Sequence, residues 1–339
     1  MSILLALALQ AAVEAPPPKP LPVHVGGRTL RRSDGSRSFG WPGVYFETRF
    51  RGAAVRVRFE AKDDFLRLMV DGRQRKVFRR PGAVDFVVDG LSSGTHEVRL
   101  EKLTESQQGE SRFMGFYAVA GSVPLPHLRR NRQIEFIGDS YTVGYGNLSN
   151  TRTCTPAEVH DRTNTQAAFG PIVARHYEAD YQINAYSGIG IVRNYDGSTP
   201  SLTMPRLYWH TLPQMDAPLD ANPSDWRPQV IVVNLGTNDF STPLHKGERW
   251  SDQSGLRQDY VATYVDFMSR VHALQPQSAL ILMGSETFYP QVRQVAARLR
   301  QAGVRRVTTL QFTGLDRGGC DYHPPRHDPA IHGPRPRRL

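Results

Sequence analysis

Four short polar motifs in the second part of the chain contain residue types that together can cleave an ester. They are GDSYTVGYGN with Ser140, NAYSGIG with Gly188, NLGTNDFS with Asn238 and GGCDYHPP with His323. Nucleophilic cleavage of an ester needs a hydroxyl, a base with an orienting group, and hydrogen-bond donors for the developing oxyanion. Ser140 can supply the hydroxyl, His323 the base and Asp321 the orienting carboxylate. Gly188 can offer an unobstructed backbone N–H, and Asn238 a side-chain amide.

Each of these residues also fits an ordinary structural role. Ser140 and the preceding Asp139 are both residue types that cap helices. Gly188 suits a turn, and Asn238 can cap the segment that follows it. His323, before a proline, can be a plain surface histidine. Taken singly, these structural roles are the more common ones, so the choice depends on where the motifs lie in the fold.

Continuous apolar segments alternate with helical ones from residue 126 to residue 325. The apolar segments are IEFIG, YQINAYSG, VIVVNLG, ALILMG and VTTLQF, and the helical ones include QAAFGPIVARHYEA, DYVATYVDFMSRVHAL and VRQVAARLRQAG. This alternation predicts a parallel sheet covered on both faces. Functional residues collect at the carboxyl ends of the strands in such sheets. Since all four motifs follow predicted strands, we expect them at one rim and favour the catalytic interpretation.

Residues 23–125 have a different pattern. Short runs such as VYFETRF, AVRVRFEA, LRLMVDG, VDFVVDG and HEVRLEKL alternate apolar and polar residues, with glycine or aspartate between them. Period-two alternation with frequent turn residues predicts an antiparallel β-sandwich. The 339-residue chain is also long enough for two cores. We therefore predict a β-sandwich domain at 23–125 and a parallel-sheet α/β domain at 126–325.

The N-terminal segment suggests a location outside the cell. MSILLALALQAAVEA at 1–15 predicts a signal peptide, and PPPKPLP at 16–22 a stiff linker. No later segment is apolar for long enough to span a membrane, so no stable membrane insertion is expected.

The net charge of +10 comes from scattered arginines without interleaved aromatics, which predicts no nucleic-acid binding. Attraction to an acidic polysaccharide is the alternative for this charge.

The chain has two cysteines, Cys154 and Cys320. In an exported protein they can form one disulfide, and two unpaired core thiols are the other interpretation.

No cofactor or metal is expected. GDSYTVGYG has a tyrosine where a phosphate loop needs bare backbone. Asp139, Asp239 and Asp321 are too few acids for a two-metal centre at the rim. His327 and His332 lie in the proline-rich tail 326–339, which favours solvated histidines over a metal pair.

Several aromatic residues near the motifs have rings suited to stacking on sugars, although such residues are more often part of the core or of the ordinary surface. The set is Tyr141, Tyr145, Tyr186, Tyr208, Trp209 and Phe240. We assign Trp209, Tyr145 and Phe240 as candidate substrate-binding residues.

The motifs GDSYTVGYGN, SGIGI, GTNDFS and CDYHP resemble the blocks of the SGNH (GDSL-type) hydrolase superfamily. More narrowly, the chain resembles carbohydrate esterase family 2, of the acetyl-xylan esterase type, and FGWPGVYFETRFRG at 39–52 is similar to that family's N-terminal domain. The resemblance extends from about residue 23 to residue 325. It implies a jelly-roll-like β-sandwich followed by an α/β/α SGNH hydrolase domain. It also implies an acetylated polysaccharide, xylan or glucomannan, as substrate.

The resemblance also implies roles for single residues. Ser140 would be the nucleophile, and its own N–H would join Gly188 and Asn238 in the oxyanion hole. His323 would be the general base and then the acid that protonates the leaving sugar hydroxyl. The wider superfamily has its aspartate three residues before the histidine, where this chain has Cys320. Some family 2 members use a serine–histidine dyad with a backbone carbonyl orienting the base, so both a triad with Asp321 and a dyad stay open.

The C-terminal segment departs from the family pattern. Family members continue after the histidine motif into an amphipathic helix, whereas PRHDPAIHGPRPRRL is rich in proline and arginine. A frameshift or truncation is our hypothesis for this tail.

Two other functions compete with the esterase interpretation. A non-catalytic carbohydrate-binding protein would be expected to have lost one of the four motif residues, and all are present. A lipase or lysophospholipase would need a broad apolar entrance, against which polar and aromatic Tyr141, Tyr145 and Asn147 argue.

Overall fold

The computed structural model describes residues 19–119, 121–214, 217–218 and 226–326. The expected signal peptide at 1–15, the start of the linker and the tail beyond Arg326 lie outside the described residues.

Eleven β-strands make up the first part of the described chain. They are β1 (His24–Gly26), β2 (Leu30–Arg31), β3 (Arg37–Phe39), β4 (Tyr45–Arg51), β5 (Val55–Ala61), β6 (Phe65–Val70), β7 (Arg73–Arg79), β8 (Gly82–Val88), β9 (Thr95–Lys102), β10 (Ser111–Ala118) and β11 (Val123–Leu125). One antiparallel sheet has the order β1-β4-β9-β6-β7, with β11 also on β4, and the other has the order β2-β3-β10-β5-β8. The two antiparallel sheets agree with the predicted β-sandwich.

The alternation of β5 explains how the sandwich forms its core. Val55, Val57 and Phe59 are buried, while Arg56 and Arg58 between them are partly exposed. Alternate side chains of a strand point to opposite faces, so the apolar set lies in the core. The pattern of the charged segment RQRKVFR does not predict a strand, yet this segment forms β7, the edge strand beside β6. An edge strand exposes much of its surface and tolerates such charges.

The described residues of the second part form seven more strands and seven α-helices. They are β12 (Arg132–Gly138), α1 (Ser140–Val143), α2 (Pro156–Arg162), α3 (Phe169–His176), β13 (Ala179–Ala185), α4 (Met204–Leu207), β14 (His210–Leu212), β15 (Ala217–Pro218), β16 (Val230–Asn234), α5 (Thr237–Phe240), α6 (Gln253–Leu274), β17 (Ala279–Ser285), α7 (Tyr289–Gln301) and β18 (Val307–Phe312).

Five of these strands form the expected parallel sheet, in the order β13-β12-β16-β17-β18. Neighbouring residues of β12 point to different cores: Phe136 packs in the cluster with α3, and Ile137 in the cluster with α6 and α7. Within the described residues the α3 side is less well covered at the far edge, where Leu310 of β18 is 50% exposed.

The β-sandwich packs along β13, the edge strand of the parallel sheet. Near the start of β13, Asp180 accepts hydrogen bonds from the Tyr45 hydroxyl (2.7 Å) and from Arg130 (3.0 Å). At the other end, the Ser106 hydroxyl donates to the Ala185 carbonyl at 2.7 Å. Ser106 belongs to the loop 103–110 between β9 and β10, so the sandwich reaches the rim where the predicted site lies.

Candidate active site

Three strand ends bring three of the sequence motifs together. Gly138, the last residue of β12, is paired with Ala185 of β13 on one side and Asn234 of β16 on the other. Ser140 follows Gly138 by two residues. The segments that carry Gly188 and Asn238 begin from the two neighbouring strand ends, so all three reach the same rim of the sheet.

Ser140 is the first residue of α1, and the residues before it shape the turn. The Asp139 carboxylate accepts a hydrogen bond from the Tyr141 N–H at 3.1 Å and is the N-cap of this helix. Gly138 has no room for a side chain, because a Cβ there would lie 1.9 Å from the Thr142 hydroxyl. Asp139 therefore takes the capping role, which leaves the Ser140 hydroxyl for the site.

His323 joins Ser140 from a distant part of the chain. Its Nε2 lies 2.8 Å from the Ser140 Oγ, and its Nδ1 lies 3.0 Å from the Cys320 carbonyl oxygen and 3.1 Å from that of Asp321. In this arrangement Nδ1–H donates to the carbonyls and Nε2 accepts from the serine hydroxyl. Burial lowers the pKa of His323 to about 4, against the raising effect of the two carbonyls and the Asp321 carboxylate. The imidazole is thus neutral at pH 7, with Nε2 free to accept a proton.

The Asp321 carboxylate does not occupy the position expected for the third member of a triad. It accepts a hydrogen bond from the Tyr145 hydroxyl at 2.8 Å, and the His323 Nδ1 faces backbone carbonyls instead. The reason is the backbone: Asp321 has φ 48° and lies in a tight 3₁₀ turn, Cys320–Tyr322, which points its carbonyl at the imidazole. This geometry is that of the dyad alternative.

Gly188 and Asn238 have the features of oxyanion donors. Gly188 has φ 82°, and no heavy atom lies within 4 Å of the position a Cβ would take. Within the described residues its N–H makes no hydrogen bond. The Asn238 side chain is 5% exposed and uses one amide hydrogen on the Ile189 carbonyl at 2.9 Å, which leaves the second available.

Asp239 supports the site in a way that the sequence did not indicate, where it was a possible cap or metal ligand. Its carboxylate accepts hydrogen bonds from three successive backbone N–H groups, those of Ile191, Val192 and Arg193, at 2.8–3.1 Å. These bonds fix the loop that follows Gly188. Burial raises the pKa of Asp239 to about 6, although the three N–H donors act in the opposite direction.

The turn that carries His323 is attached to the segment after the serine. Cys154 and Cys320 form a disulfide, with their Cα atoms 5.4 Å apart. The Asp321 N–H donates to the Arg152 carbonyl at 2.8 Å. Gly146 passes close to the bridge, where a Cβ would lie 2.5 Å from the Cys320 Cβ. These contacts hold His323 in place next to Ser140.

Two of the three candidate substrate-binding aromatics lie near the rim. The Tyr145 ring is 4.3 Å from the His323 ring between centroids. Phe240 follows the Asn238 motif, but it is half-buried between Tyr260 and Phe288, so most of its ring belongs to the core.

The structure does not bring Trp209 to the rim. Its ring packs against Phe267 of α6, and the Arg270 guanidinium lies 4.5 Å from the ring centroid. Both partners are in the C-terminal third of α6, which runs away from the rim. Trp209 is half-buried, and these contacts place it in the packing against α6 and away from the rim.

Two exposed tyrosines were not singled out from the sequence. Tyr322, between Asp321 and His323, is 60% exposed, and Tyr195 is 55% exposed. The Tyr195 N–H donates to the Gly188 carbonyl at 2.9 Å, which ties it to the oxyanion loop. Large exposed aromatic rings beside a reactive centre are suited to stacking on sugar. Their closeness in sequence to the motif residues could have indicated them as candidate sugar-binding residues.

Among the residues that the structure describes, no group of three or more histidine, cysteine, aspartate or glutamate side chains is arranged to hold a metal ion. In the same part of the chain, no helix combines the length and apolarity needed to cross a membrane.

A β-sandwich followed by a parallel α/β domain with serine and histidine at its rim defines the class of GDSL-type ester hydrolases. Comparison with known families agrees. Residues 25–127 match the family described as Carbohydrate esterase 2 N-terminal, and residues 134–328 match that described as GDSL-like Lipase/Acylhydrolase.

Curated relatives and solved structures are similar over most of the chain. An acetylxylan esterase / glucomannan deacetylase of Cellvibrio japonicus is 46% identical over 321 residues, which cover 92% of this chain and 89% of that protein. The cellulase/esterase CelE of Acetivibrio thermocellus is 31% identical over 84% of this chain and 35% of its own length. A family two carbohydrate esterase from Clostridium thermocellum, solved with cellohexaose, has a TM-score of 0.78 at 28% identity and covers 92% of this chain and 94% of that one.

A further solved carbohydrate esterase, described as having divergent catalytic and non-catalytic binding functions at its active site, has a TM-score of 0.85 at 46% identity. The two structures share 91% of this chain and 93% of the other. The chain belongs to carbohydrate esterase family 2. It is an enzyme that hydrolyses carboxylic esters of carbohydrates.

Proposed function

We propose that this protein is a secreted serine esterase that removes acetyl groups from plant cell-wall polysaccharide, xylan or glucomannan, through an acyl-enzyme. The observation that carries the proposal is the 2.8 Å contact between the Ser140 Oγ and the His323 Nε2, with the Nδ1 of the same ring on two carbonyl oxygens. This arrangement fixes the tautomer that a general base requires.

In the acylation step, the Ser140 oxygen attacks the acetyl carbonyl while its proton passes to the His323 Nε2. The carbonyl oxygen becomes an oxyanion, for which the N–H groups of Ser140 and Gly188 and the Asn238 amide are the donors. The tetrahedral intermediate then expels the sugar oxygen, which takes the proton from Nε2. The products of this step are the free sugar hydroxyl and the acetyl-serine ester.

In the deacylation step, His323 takes a proton from water, and the resulting hydroxide attacks the acetyl-serine carbonyl. The same N–H groups donate hydrogen bonds to the second oxyanion. Collapse releases acetate and returns the proton to the Ser140 oxygen, so the enzyme is regenerated without a cofactor.

The acetyl group and the polysaccharide are suggested by the relatives and by the local geometry. Two relatives named acetylxylan esterase / glucomannan deacetylase are similar to this chain. Exposed Tyr195 and Tyr322 offer surfaces for sugar rings.

The proposal of secretion rests on the apolar run at 1–15 and on the disulfide, since disulfides persist in oxidising compartments. We also propose the division into a β-sandwich domain at 23–125 and a hydrolase domain at 126–325, with the sandwich supporting the edge strand β13.

The test is acetate release from acetylated xylan, acetylated glucomannan and 4-nitrophenyl acetate by the parent protein and by Ser140→Ala. We expect the substitution to lower kcat by about 10⁴-fold or more, because a nucleophile has no substitute. Ser278→Ala is a matched control, since this buried serine donates to the Pro228 carbonyl at 2.6 Å and precedes β17, at the end of the sheet opposite the rim. A folded parent protein that releases no acetate from any of the three would refute the proposal.

A further inference from the structure

The sheet face that packs against α6 and α7 changes from apolar to polar toward the edge strand β13. Residues paired across neighbouring strands share a face, and one such row contains Gln182, Glu135, Ile231 and Leu280. Ile231 and Leu280 belong to the core with α6 and α7, whereas the two residues on β13 and β12 are polar. Strands of a buried parallel sheet are normally apolar on both faces, so these polar residues need another explanation.

A cavity of about 810 Å³ borders the polar end of this row. It lies between β12 and β13 on one side and the first strands of the β-sandwich on the other. Its volume falls within the range of ligand pockets, roughly 300–1,000 Å³. Gln133, which also lines it, precedes Gly138 by five residues, which corresponds to about 17 Å along the strand. The cavity is therefore at the opposite end of the sheet from Ser140.

Gln182 presents an unsatisfied amide to this cavity. Its side chain belongs to a residue that is only 9% exposed, and its carboxamide makes no hydrogen bond with the described residues. Neither polar atom of the amide is fully enclosed by protein, and Gln182 lines the cavity. A largely buried amide without a partner is costly until a ligand supplies the hydrogen bonds. The amide can donate to and accept from hydroxyl groups.

The two acids of the cavity already have cationic partners. Glu135 pairs with Arg28 at 3.1 Å, and Asp180 pairs with Arg130 at 3.0 Å. The Nε2 of His24 also lies 2.9 Å from the Asp180 carboxylate. These pairs neutralise both acids, so the charge that a ligand meets is set by the remaining arginines.

Arg37 and Arg129 line the cavity without an acidic partner in the described part of the chain. The Arg37 Nη1 donates to the Thr29 hydroxyl at 3.2 Å, and the other nitrogens of the half-buried guanidinium stay accessible. Burial and the charge of Arg31 lower the pKa of Arg37, with no carboxylate to offset them. The planar donors of a guanidinium match a carboxylate, which is the anion we expect here.

We propose that this cavity is a second carbohydrate site that binds a uronate, a sugar with a carboxylate, with Arg37 on the carboxylate and Gln182 on the hydroxyls. A polysaccharide that carries uronates would then be held at the end of the sheet away from Ser140. The net charge of +10 favours the approach of such an acidic polymer. The inference goes beyond the deacetylase function and does not rest on it, because binding in this cavity involves no ester.

The test measures binding of deacetylated glucuronoxylan by affinity electrophoresis. The same polymer with its carboxylates reduced to hydroxyls is the matched ligand. We expect the parent protein to bind glucuronoxylan at least about tenfold more tightly than the reduced polymer, at about 0.15 M salt, where long-range attraction is screened.

The variants Arg37→Gln and Gln182→Leu are compared with Arg75→Gln. Arg75 is an exposed arginine of β7 outside the cavity, so its substitution makes the same change of charge as Arg37→Gln. We expect Kd for glucuronoxylan to rise about tenfold or more for Arg37→Gln, about three- to tenfold for Gln182→Leu, and less than about twofold for Arg75→Gln. Gln182→Leu protects the test against misfolding, because it keeps a similar volume and removes only the hydrogen-bonding groups.

Several results would overturn the uronate site. They are equal binding of the two polymers, equal losses in Arg37→Gln and Arg75→Gln, and no binding of glucuronoxylan by the parent protein. Competition by inorganic phosphate as strong as that by free glucuronate would also overturn it, since the cavity would then accept any anion. So would a loss of binding matched by an equal loss of 4-nitrophenyl acetate hydrolysis, which would indicate a general structural effect.

The outcomes for the two proposals are separate. If the parent protein binds glucuronoxylan through Arg37 but releases no acetate, the deacetylase function fails and the uronate site stands. If acetate is released and Arg37→Gln binds both polymers as the parent does, the uronate site fails alone.

Discussion

The Tyr145 hydroxyl donates a hydrogen bond to the Asp321 carboxylate at 2.8 Å. This contact engages the acid that sequence position suggests for a catalytic triad and holds it beside the site entrance. The imidazole of His323 is oriented by backbone, because its Nδ1 faces the carbonyl oxygens of Cys320 and Asp321. A carbonyl fixes the tautomer as a carboxylate does, but it carries no full charge with which to stabilise the imidazolium.

The first prediction concerns Asp321. We expect Asp321→Asn to lower kcat by less than about tenfold, whereas His323→Ala lowers it by about 10⁴-fold or more. The reason is that the backbone carbonyls survive the first substitution and the base is lost in the second. Acetate release from 4-nitrophenyl acetate measures both.

Tyr145→Phe is the matched control for Asp321→Asn, because it breaks the same hydrogen bond from the other side. A loss of about 10⁴-fold in Asp321→Asn, of the size seen when a triad aspartate becomes asparagine, would contradict the dyad.

The second prediction concerns pH. Because burial disfavours the imidazolium, His323 stays a neutral base until the pH falls to about 4, well below the ordinary histidine value of 6.5. We expect kcat/KM to be level from pH 8 to about 5.5 and to be halved near pH 4. Measurement uses buffers of constant ionic strength, with a return to pH 7 to exclude denaturation.

The variant Asp321→Asn sharpens the pH prediction. The Asp321 carboxylate raises the pKa of His323, so its neutralisation moves the acid limb to lower pH. An acid limb near pH 6.5 in the parent protein, or a shift to higher pH in the variant, would contradict this account.

The third prediction concerns the oxyanion donors. We expect Asn238→Ala to lower kcat about a hundred- to a thousand-fold with a smaller change in KM, because the amide acts on charge that develops in the transition state. Steady-state kinetics on 4-nitrophenyl acetate measures the two constants separately. Asn164→Ala is the comparison, since Asn164 is also a buried asparagine but lies outside the rim motifs. Equal losses in the two variants would indicate a general structural effect.

The fourth prediction concerns the disulfide. The bridge between Cys154 and Cys320 closes a separation of 166 residues and adjoins the turn of His323. We expect the double substitution to serine to lower stability by about 2–5 kcal/mol and to reduce kcat, because the turn loses a covalent support. Thermal unfolding and acetate release, each with and without reductant, measure the effect. Reductant should change neither the thermal stability nor the activity of the double variant. If reductant also left both unchanged in the parent protein, the prediction would be contradicted.

The fifth prediction separates the aromatic residues. Tyr322→Ala and Tyr195→Ala are expected to raise KM on acetylated polysaccharide about tenfold and to leave 4-nitrophenyl acetate within about twofold, since both rings are exposed. Trp209→Ala is expected to lower stability by about 3–5 kcal/mol through lost packing on α6. If Trp209→Ala instead raised KM on the polymer and left stability unchanged, Trp209 would be a binding residue.

Much of the fold followed from periodicity. The apolar run of β12 and the alternation of β5 predicted their sheets, because burial on one face or on two leaves a different pattern in the sequence. Periodicity did not predict the edge strand β7, since an exposed edge does not require apolar residues.

The sequence by itself determined the two-part architecture, the parallel sheet, and the motifs of Ser140, Gly188, Asn238 and His323, because strand ends and residue types are local properties. Three matters were decided only by tertiary structure: which group orients His323, the packing of Trp209 against α6, and the cavity between the β-sandwich and β13. Each depends on segments that are distant in sequence and meet through packing, or on the backbone angle of a single turn, and neither leaves a periodic signal.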